Sequence, residues 1–327
     1  MNDPLIWLRA LHFAATASLA GALLFWTLIS EPVLRTVQAD GHVSGITGRR
    51  PTAIVWISFA FALATGAGWF VLQTARMTDV SPSAAFAEGA AWNVLFNTDF
   101  GNVWAARTVF AALFGATLLL DAVGLNKFRA SGALLTALAV AFVGTLAFAG
   151  HAAAGSDVVG AFHLGADILH LVAAATWLGA LLPLAVLLSA AASQNDGFSM
   201  KIAQTATLRF STLGIVSVAT LVVTGIVNSW VLVGSVDALV TTDYGRLLSL
   251  KVVLFIVMLS VAAFNRLRLT PRLVEGRSPV KHSALRQLRT NCLTEVGIGL
   301  VILFVVGVLG TLPPGSNERA LVWRHSL

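Results

Sequence analysis

Residues 163–182 read HLGADILHLVAAATWLGALL. This segment is apolar and has about the 20 residues that a helix needs to cross a bilayer. It nevertheless carries His163, Asp167 and His170, which a helix turning by about 100° per residue places within about 60° of one another around its axis. Ionisable side chains inside a membrane are costly and usually belong to functional sites. The segment therefore predicts a membrane-spanning helix with one functional face.

The composition of the whole chain also predicts a membrane protein. Hydrophobic residues make up 57% of the 327 residues and charged residues only 11%, whereas soluble domains have about 25% charged residues. Eight apolar runs are long enough to cross a bilayer, near residues 5–29, 52–74, 103–124, 132–150, 162–189, 211–234, 246–265 and 293–312. We therefore expect an all-α membrane protein with eight transmembrane helices.

The basic residues predict the orientation of these helices. Most of the 21 lysine and arginine residues lie in the loops that follow the first, third, fifth and seventh spans. Because such loops face the cytoplasm, the expected topology is N-out and C-out. Since the basic residues sit beside apolar spans, the net charge of +6 indicates contact with the lipid bilayer and not with nucleic acid. His12, His151, His163 and His170 then all lie in the outer parts of their spans.

The two halves of the chain resemble each other. Matching segments are LH at 11–12 and 169–170, AGALL and LGALL at 20–24 and 178–182, and TG at 65–66 and 224–225. Four spans per half preserve the orientation, so the sequence predicts two parallel four-helix repeats, residues 1–150 and residues 151–327 with a short outer tail. Sites in such proteins often lie where the halves meet, and His12 and His170 are expected to face each other there.

A further pair of motifs predicts two helix starts. TDFG at 98–101 and TDYG at 242–245 combine a capping threonine or aspartate with a glycine that makes the turn. Arg107 and Lys251 follow these motifs at similar spacing. They are expected to form ion pairs with the aspartates of the two motifs.

The histidines of the outer side predict a metal site. Neutral imidazole binds copper, zinc, iron and nickel, and a nearby carboxylate can ligate the metal or orient an imidazole. Asp167 lies one helical turn from both His163 and His170, so either pair can reach one ion. The predicted metal ligands are His170, His163, Asp167, His12 and His151.

Two other interpretations use the same residues. Haem b could be held by His12 with His170, or by His151 with His163, in a membrane electron-transfer protein. Alternatively, the histidines only form hydrogen bonds that hold neighbouring helices together.

Sequence signatures of common enzyme classes are absent. The chain has no P-loop, no Gly-x-Ser-x-Gly and no His-Glu-x-x-His, so we expect that it is not an enzyme. Cys292 is the one cysteine, which excludes an intrachain disulfide framework, and four methionines do not suggest a thioether relay. Glu295, at the inner start of the eighth span, is expected to snorkel or to pair with Arg289. The alternative is that it relays protons or passes a cation.

Several motifs taken together resemble the bacterial copper resistance protein D family. They are LHL at 169–171, WLG at 177–179, GHA at 150–152, RFS at 209–211, TG at 224–225, TDYGR at 242–246 followed by Lys251, and NRLRLTP at 265–271. The resemblance is strongest over residues 145–275, within a core similar to the family's at about 145–312.

This resemblance implies a function and a location. It implies a multi-pass protein of the bacterial inner (plasma) membrane that handles copper in copper homeostasis or resistance. Family members are described as moving copper from the periplasm toward the cytoplasm, usually with a periplasmic copper-binding protein of the CopC type, expected here as a separate chain. The resemblance leaves the oxidation state of the copper ion open.

The predicted topology can be tested with reporter fusions. Alkaline phosphatase fused after the last residue should be active, because the enzyme folds only outside the cytoplasm, whereas a fusion within residues 266–292 should be inactive. The opposite pattern would invert the orientation and place the histidines on the cytoplasmic side.

Overall fold

The computed structural model describes residues 3–39, 52–87, 89–124, 131–150, 158–194 and 196–314. In this part of the chain the regular structure is helical and contains no strand. The α-helices are α1 (Pro4–Phe25), α2 (Glu31–Ala39), α3 (Thr52–Thr78), α4 (Ala84–Ala87), α5 (Ala90–Asn97), α6 (Asp99–Ala122), α7 (Ser131–Gly144), α8 (Val158–Gln194), α9 (Gly197–Val233), α10 (Ala238–Thr241), α11 (Asp243–Phe264), α12 (Thr270–Glu275) and α13 (Ser278–Leu309). Two π-helical turns (Trp26–Ser30 and Asn265–Leu269) and one 3-10 turn (Thr145–Ala149) continue α1, α11 and α7.

Eight helical segments of the described residues are long and apolar enough to cross a membrane. They are Pro4–Thr36, Thr52–Thr78, Asp99–Ala122, Gly132–Ala149, Val158–Gln194, Gly197–Val233, Asp243–Glu275 and Ser278–Leu309. The prediction of an all-α protein with eight transmembrane helices is therefore confirmed.

Two helices begin earlier than their apolar runs indicate. α9 begins at Gly197 and α13 at Ser278, about four turns before the predicted starts near residues 211 and 293. Hydropathy misses these extensions because they are amphipathic. Leu285 and Leu288 of α13 and Ala203 of α9 are buried in the core, while polar residues cover the opposite faces. Much of the basic segment 266–292 is therefore helix and not loop.

The helices run alternately in opposite directions, which defines two ends of the bundle. We call the end at which α1 begins the outer end and the opposite one the inner end, following the predicted topology. Asp3 and Arg76, at the start of α1 and the end of α3, form an ion pair at the outer end. Asn265, in the π-helical turn that follows α11, donates a hydrogen bond to Glu295 of α13 in the inner half. The predicted pairing of Glu295 with Arg289 was wrong, because Arg289 is exposed on the surface of α13 while Glu295 faces the core.

A glycine contact joins α1 and α8, the first long helices of the two halves. A Cβ atom on Gly21 would collide with the backbone of Gly179 and with the carbonyl oxygen of Ala175. A Cβ atom on Gly179 would collide with the carbonyl oxygen of Ala17 and come within 3.0 Å of the Cα atom of Gly21. Small residues of this kind let two membrane helices approach closely.

The helix caps predicted by the TDFG and TDYG motifs are confirmed, but their ion pairs are not. Thr98 Oγ1 accepts a hydrogen bond from the backbone of Gly101 at 3.0 Å, and Thr242 Oγ1 does the same for Gly245 at 3.0 Å. The predicted pairing of the two following cations was wrong because both motif aspartates are exposed and point away from the bundle. Asp243 instead lies 3.6 Å from Arg246.

The glycine contact predicts which glycines tolerate an added methyl group. Gly21→Ala and Gly179→Ala should each destabilise the protein by about 1–3 kcal/mol, because the added methyl group must push two backbones apart. The measurement is the midpoint of thermal unfolding of the purified protein in detergent. Gly165→Ala is the matched control on α8, since its Cβ would meet no atom within 4 Å. A Gly21→Ala midpoint equal to that of this control would contradict the close contact.

The ion pair at the outer end predicts a pH dependence. The hydrogen bond from the Arg76 guanidinium lowers the pKa of the Asp3 carboxyl, which also caps α1 through the backbone of Leu5. A lowered pKa in the folded state means that the stabilisation, up to about 1 kcal/mol for an exposed pair, is present above pH ~4 and is lost as the pH falls through the folded-state pKa. Asp3→Asn should therefore unfold at a lower temperature than the wild type at pH 7, and the difference should shrink as the pH falls below about 4. A difference that acid leaves unchanged would show that charge is not involved.

Candidate functional site

His170 of α8 presents a free ring nitrogen. Its Nδ1 lies 2.9 Å from Thr224 Oγ1 of α9. The Thr224 hydroxyl donates its own hydrogen to the carbonyl oxygen of Thr220 at 2.6 Å, so Thr224 Oγ1 accepts and His170 Nδ1 donates. The neutral imidazole then keeps its lone pair on Nε2, and among the described residues no hydrogen-bond partner occupies that atom. Nε2 is therefore available to a metal ion.

Further polar side chains surround this imidazole. Asp167, one helical turn before His170, accepts a hydrogen bond at 3.1 Å from Asn228 Nδ2. Asn228 Oδ1 is buried and has no hydrogen-bond partner in the described part of the chain. Lys251 of α11 interacts electrostatically with both Asp167 and His170. We call Asp167, His170, Thr224, Asn228 and Lys251 the outer group.

His12 of α1 has the same tautomer, but its second nitrogen is occupied. His12 Nδ1 lies 3.1 Å from the carbonyl oxygen of Ala62 and 3.2 Å from Thr65 Oγ1. Because the carbonyl oxygen can only accept, Nδ1 carries the hydrogen and Nε2 the lone pair. Arg107 Nη2 of α6 donates to that lone pair at 2.5 Å. These contacts favour the structural interpretation of His12.

Aromatic rings and hydrogen bonds hold Arg107 in place. The Arg107 side chain is 1% exposed and donates to the carbonyl oxygen of Phe142 at 3.0 Å and to Thr145 Oγ1 at 2.6 Å. Its guanidinium carbon lies 4.4 Å from the centre of the Phe142 ring and 5.4 Å from that of Trp104. Cation–π contacts and neutral acceptors stabilise this charge, and no carboxylate of the described residues pairs with it.

The structure separates His12 from His170, contrary to the expectation that they face each other. Each histidine precedes its contact glycine, Gly21 or Gly179, by nine residues in the sequence. Nine residues correspond to about 900° of helix rotation, so each imidazole lies on the face roughly opposite the glycine contact. Each therefore points into its own half of the bundle. Among the described residues, no three His, Cys, Asp or Glu side chains are close enough to share one metal ion.

Of the other two predicted ligands, His163 lies within the described residues. His163 is 4% exposed and lies two turns before His170 on α8. His151 lies outside the described residues. Gly150, which precedes it in the sequence, is next to the outer group, since a Cβ atom on Gly150 would lie 3.9 Å from Asp167 Oδ2. Metal binding by the five predicted residues stays a prediction.

Sequence reasoning missed the partners that decide which histidine nitrogen is free. Neither Thr224 nor Asn228 was predicted to be a site residue, and Lys251 was predicted to form an ion pair with Asp243. The signal that could have found Thr224 was the match between the TG pairs at 65–66 and 224–225, because Thr65 and Thr224 both accept from a histidine Nδ1. These equivalent contacts agree with the predicted repeat, which stays a prediction.

Family models match both halves of the chain. The model described as "Copper resistance protein D-like, N-terminal domain" matches residues 1–161. The model described as "Copper resistance protein D" matches residues 204–309.

Three named proteins are similar to this chain in sequence. The chain is 32% identical over 219 residues to copper resistance protein D of Pseudomonas syringae pv. tomato, covering 66% of this chain and 69% of that protein. It is 29% identical over 312 residues to inner membrane protein YebZ of Escherichia coli K12, covering 94% and 98%. It is 31% identical over 245 residues to copper transport protein CutJ of Bacillus subtilis 168, covering 74% of this chain and 42% of that protein.

These matches agree with the resemblance found in the sequence. The chain belongs to the copper resistance protein D family. Together with the eight apolar helices, the similarity to an inner membrane protein over almost the whole length identifies a multi-pass protein of the inner membrane.

Proposed function

We propose that this member of the copper resistance protein D family binds copper at the outer group and transfers it from the periplasm toward the cytoplasm. The observation that carries this proposal is the unoccupied Nε2 atom of His170, one helical turn from the carboxylate of Asp167. Imidazole and carboxylate are both copper ligands, and Asn228 Oδ1 adds a buried acceptor that lacks a partner among the described residues.

Lys251 explains how the outer group is stable without metal. An ionised Asp167 between membrane helices needs a compensating charge, and Lys251 interacts with it electrostatically. A copper ion bound to Asp167 and His170 would supply that charge in place of the lysine. Lys251 and the ion therefore compete for the same carboxylate, which keeps the affinity moderate enough for release.

The family resemblance implies the direction and the partner of transfer, and the predicted topology is compatible with both. The outer group lies near the ends of α8, α9 and α11 that are expected to face the periplasm. A periplasmic copper-binding protein of the CopC type, as a separate chain, would deliver the ion there. We propose binding and transfer of the ion and no enzymatic reaction.

The haem interpretation has less support from the same geometry. A haem held by two histidines needs a free ring nitrogen on each, and Arg107 donates to the second nitrogen of His12. A Soret band in the visible spectrum of the purified protein would nevertheless overturn the copper proposal as stated.

The proposal predicts that the two equivalent histidines differ in copper binding. His170→Ala and Asp167→Asn should each weaken copper binding at least tenfold, because each removes a ligand. His12→Ala should retain the wild-type affinity for copper, since Arg107 already donates a hydrogen bond to His12 Nε2. The measurement is a competition titration of the purified protein with a copper chelator.

Two controls keep this test specific. His282→Ala removes a histidine near the inner end and should leave copper binding unchanged. Lys251→Met should tighten binding several-fold by removing the competing charge, provided that the variant elutes as a folded protein. Equal affinities for His170→Ala, His12→Ala and the wild type would rule out the outer group as the copper site.

A further inference from the structure

A cavity of about 190 Å³ lies at the outer end of the bundle. Helices of the first half and the C-terminus of α13 enclose it, and its lining includes Arg9, Trp69, Gln73, Phe100, Gly150 and Gly310. A cavity needs only about 10–15 Å³ of such space to hold a water molecule. The cavity is therefore large enough for a small ion together with water molecules.

Arg9 brings a positive charge to this cavity and is only partly satisfied by the protein. Its Nη1 donates a hydrogen bond to the carbonyl oxygen of Gly310 at 2.7 Å, and its guanidinium carbon lies 4.9 Å from the centre of the Trp69 ring. Nε is buried and has no hydrogen-bond partner in the described part of the chain. Arg107, the buried arginine of α6, donates to three acceptors, whereas Arg9 donates to one. Arg9 therefore keeps donors that a ligand can use.

The charges around Arg9 also favour an anion. Arg9 interacts electrostatically with both Arg76 and Asp3, and Asp3 already forms the ion pair with Arg76. Two cations thus share one carboxylate. The nearby carboxylate of Asp167 interacts with Lys251, which compensates its charge. Because an uncompensated charge among membrane helices is costly, a single negative charge in the cavity would stabilise Arg9.

The donors of the cavity fit a spherical anion better than a carboxylate. A carboxylate is matched best by two parallel N–H groups on one edge of a guanidinium. Nε of Arg9 is enclosed and Nη1 is bonded to Gly310, so neither such edge is fully free. Gln73, one turn after Trp69 on α3, lines the same cavity with an amide that carries two further N–H donors. Single donors on two helices suit a halide ion.

We propose that this cavity binds a small monovalent anion of the halide class, such as chloride, through the guanidinium of Arg9 and the amide of Gln73. The anion compensates the positive charge that Asp3 shares out between two arginines. It reaches the cavity at the outer end of the bundle. The site requires no copper, and the inference does not depend on the proposed function.

Bromide tests this site because it replaces chloride and quenches tryptophan fluorescence on contact. The purified full-length protein in sodium gluconate is titrated with sodium bromide at constant ionic strength. Exposed tryptophans such as Trp92 and Trp230 should give quenching that rises linearly with bromide. Trp69 should add a saturable component that chloride reverses. Bromide should also raise the midpoint of thermal unfolding, because a ligand that binds the folded state stabilises it.

Matched variants assign the signal to the cavity. Arg9→Gln should lose both the saturable quenching and the thermal shift, and Gln73→Leu should raise the half-saturating bromide concentration several-fold. Trp69→Phe should lose the saturable quenching and keep the thermal shift. Arg246→Gln removes an exposed arginine at the outer end of the second half and should leave both measurements unchanged.

Two results would overturn the anion site. One is purely linear quenching in the wild type, which decides the question even if Arg9→Gln does not fold. The other is saturable quenching that persists in folded Arg9→Gln. Neither result bears on the proposed function, because no copper is present in these titrations.

Discussion

A polar group inside an apolar helix bundle is costly unless it finds a partner within the protein, because the bilayer core offers no water. This constraint organises the structure described here. Thr65 and Thr224 each donate a hydrogen bond from the hydroxyl group to a carbonyl oxygen of the same helix. With a remaining lone pair, each accepts a hydrogen bond from a histidine. Each threonine thereby fixes the tautomer of its histidine. The chemistry available at each histidine then depends on what lies next to the second nitrogen.

The two halves differ in the cation that lies near the histidine. Arg107 reaches His12 with a planar group that also binds a carbonyl oxygen and a threonine hydroxyl, and aromatic rings enclose it. Lys251 interacts with the carboxylate of Asp167 and leaves the second nitrogen of His170 without a bonded donor. Arginine presents several donors in one plane, whereas lysine is a compact charge on a flexible chain. The arginine closes a structural contact on His12, whereas no donor is bonded to His170 Nε2 in the described part of the chain.

The sequence was sufficient to predict what local patterns determine. The thickness of the hydrocarbon core sets the length of a bilayer crossing, so hydropathy found the eight spans. The TDFG and TDYG motifs predicted helix caps because a cap involves residues that are neighbours in the sequence. The sequence could not predict which histidine has a free nitrogen. Thr224 and Arg107 lie 54 and 95 residues away along the chain from the histidines that they contact. The same holds for Glu295, whose partner Asn265 lies 30 residues away. Such contacts depend on how the helices pack.

The crossing of α1 and α8 is self-complementary. Gly21 meets Gly179, and the carbonyl oxygens of Ala17 and Ala175 take part reciprocally, so the same surface is used on both sides. This geometry is the one that a symmetric homodimer uses. In a homodimer, however, every substitution appears twice, whereas the two sides of this crossing belong to one chain and can differ. Arg107 beside His12 and Lys251 near His170 are such a difference.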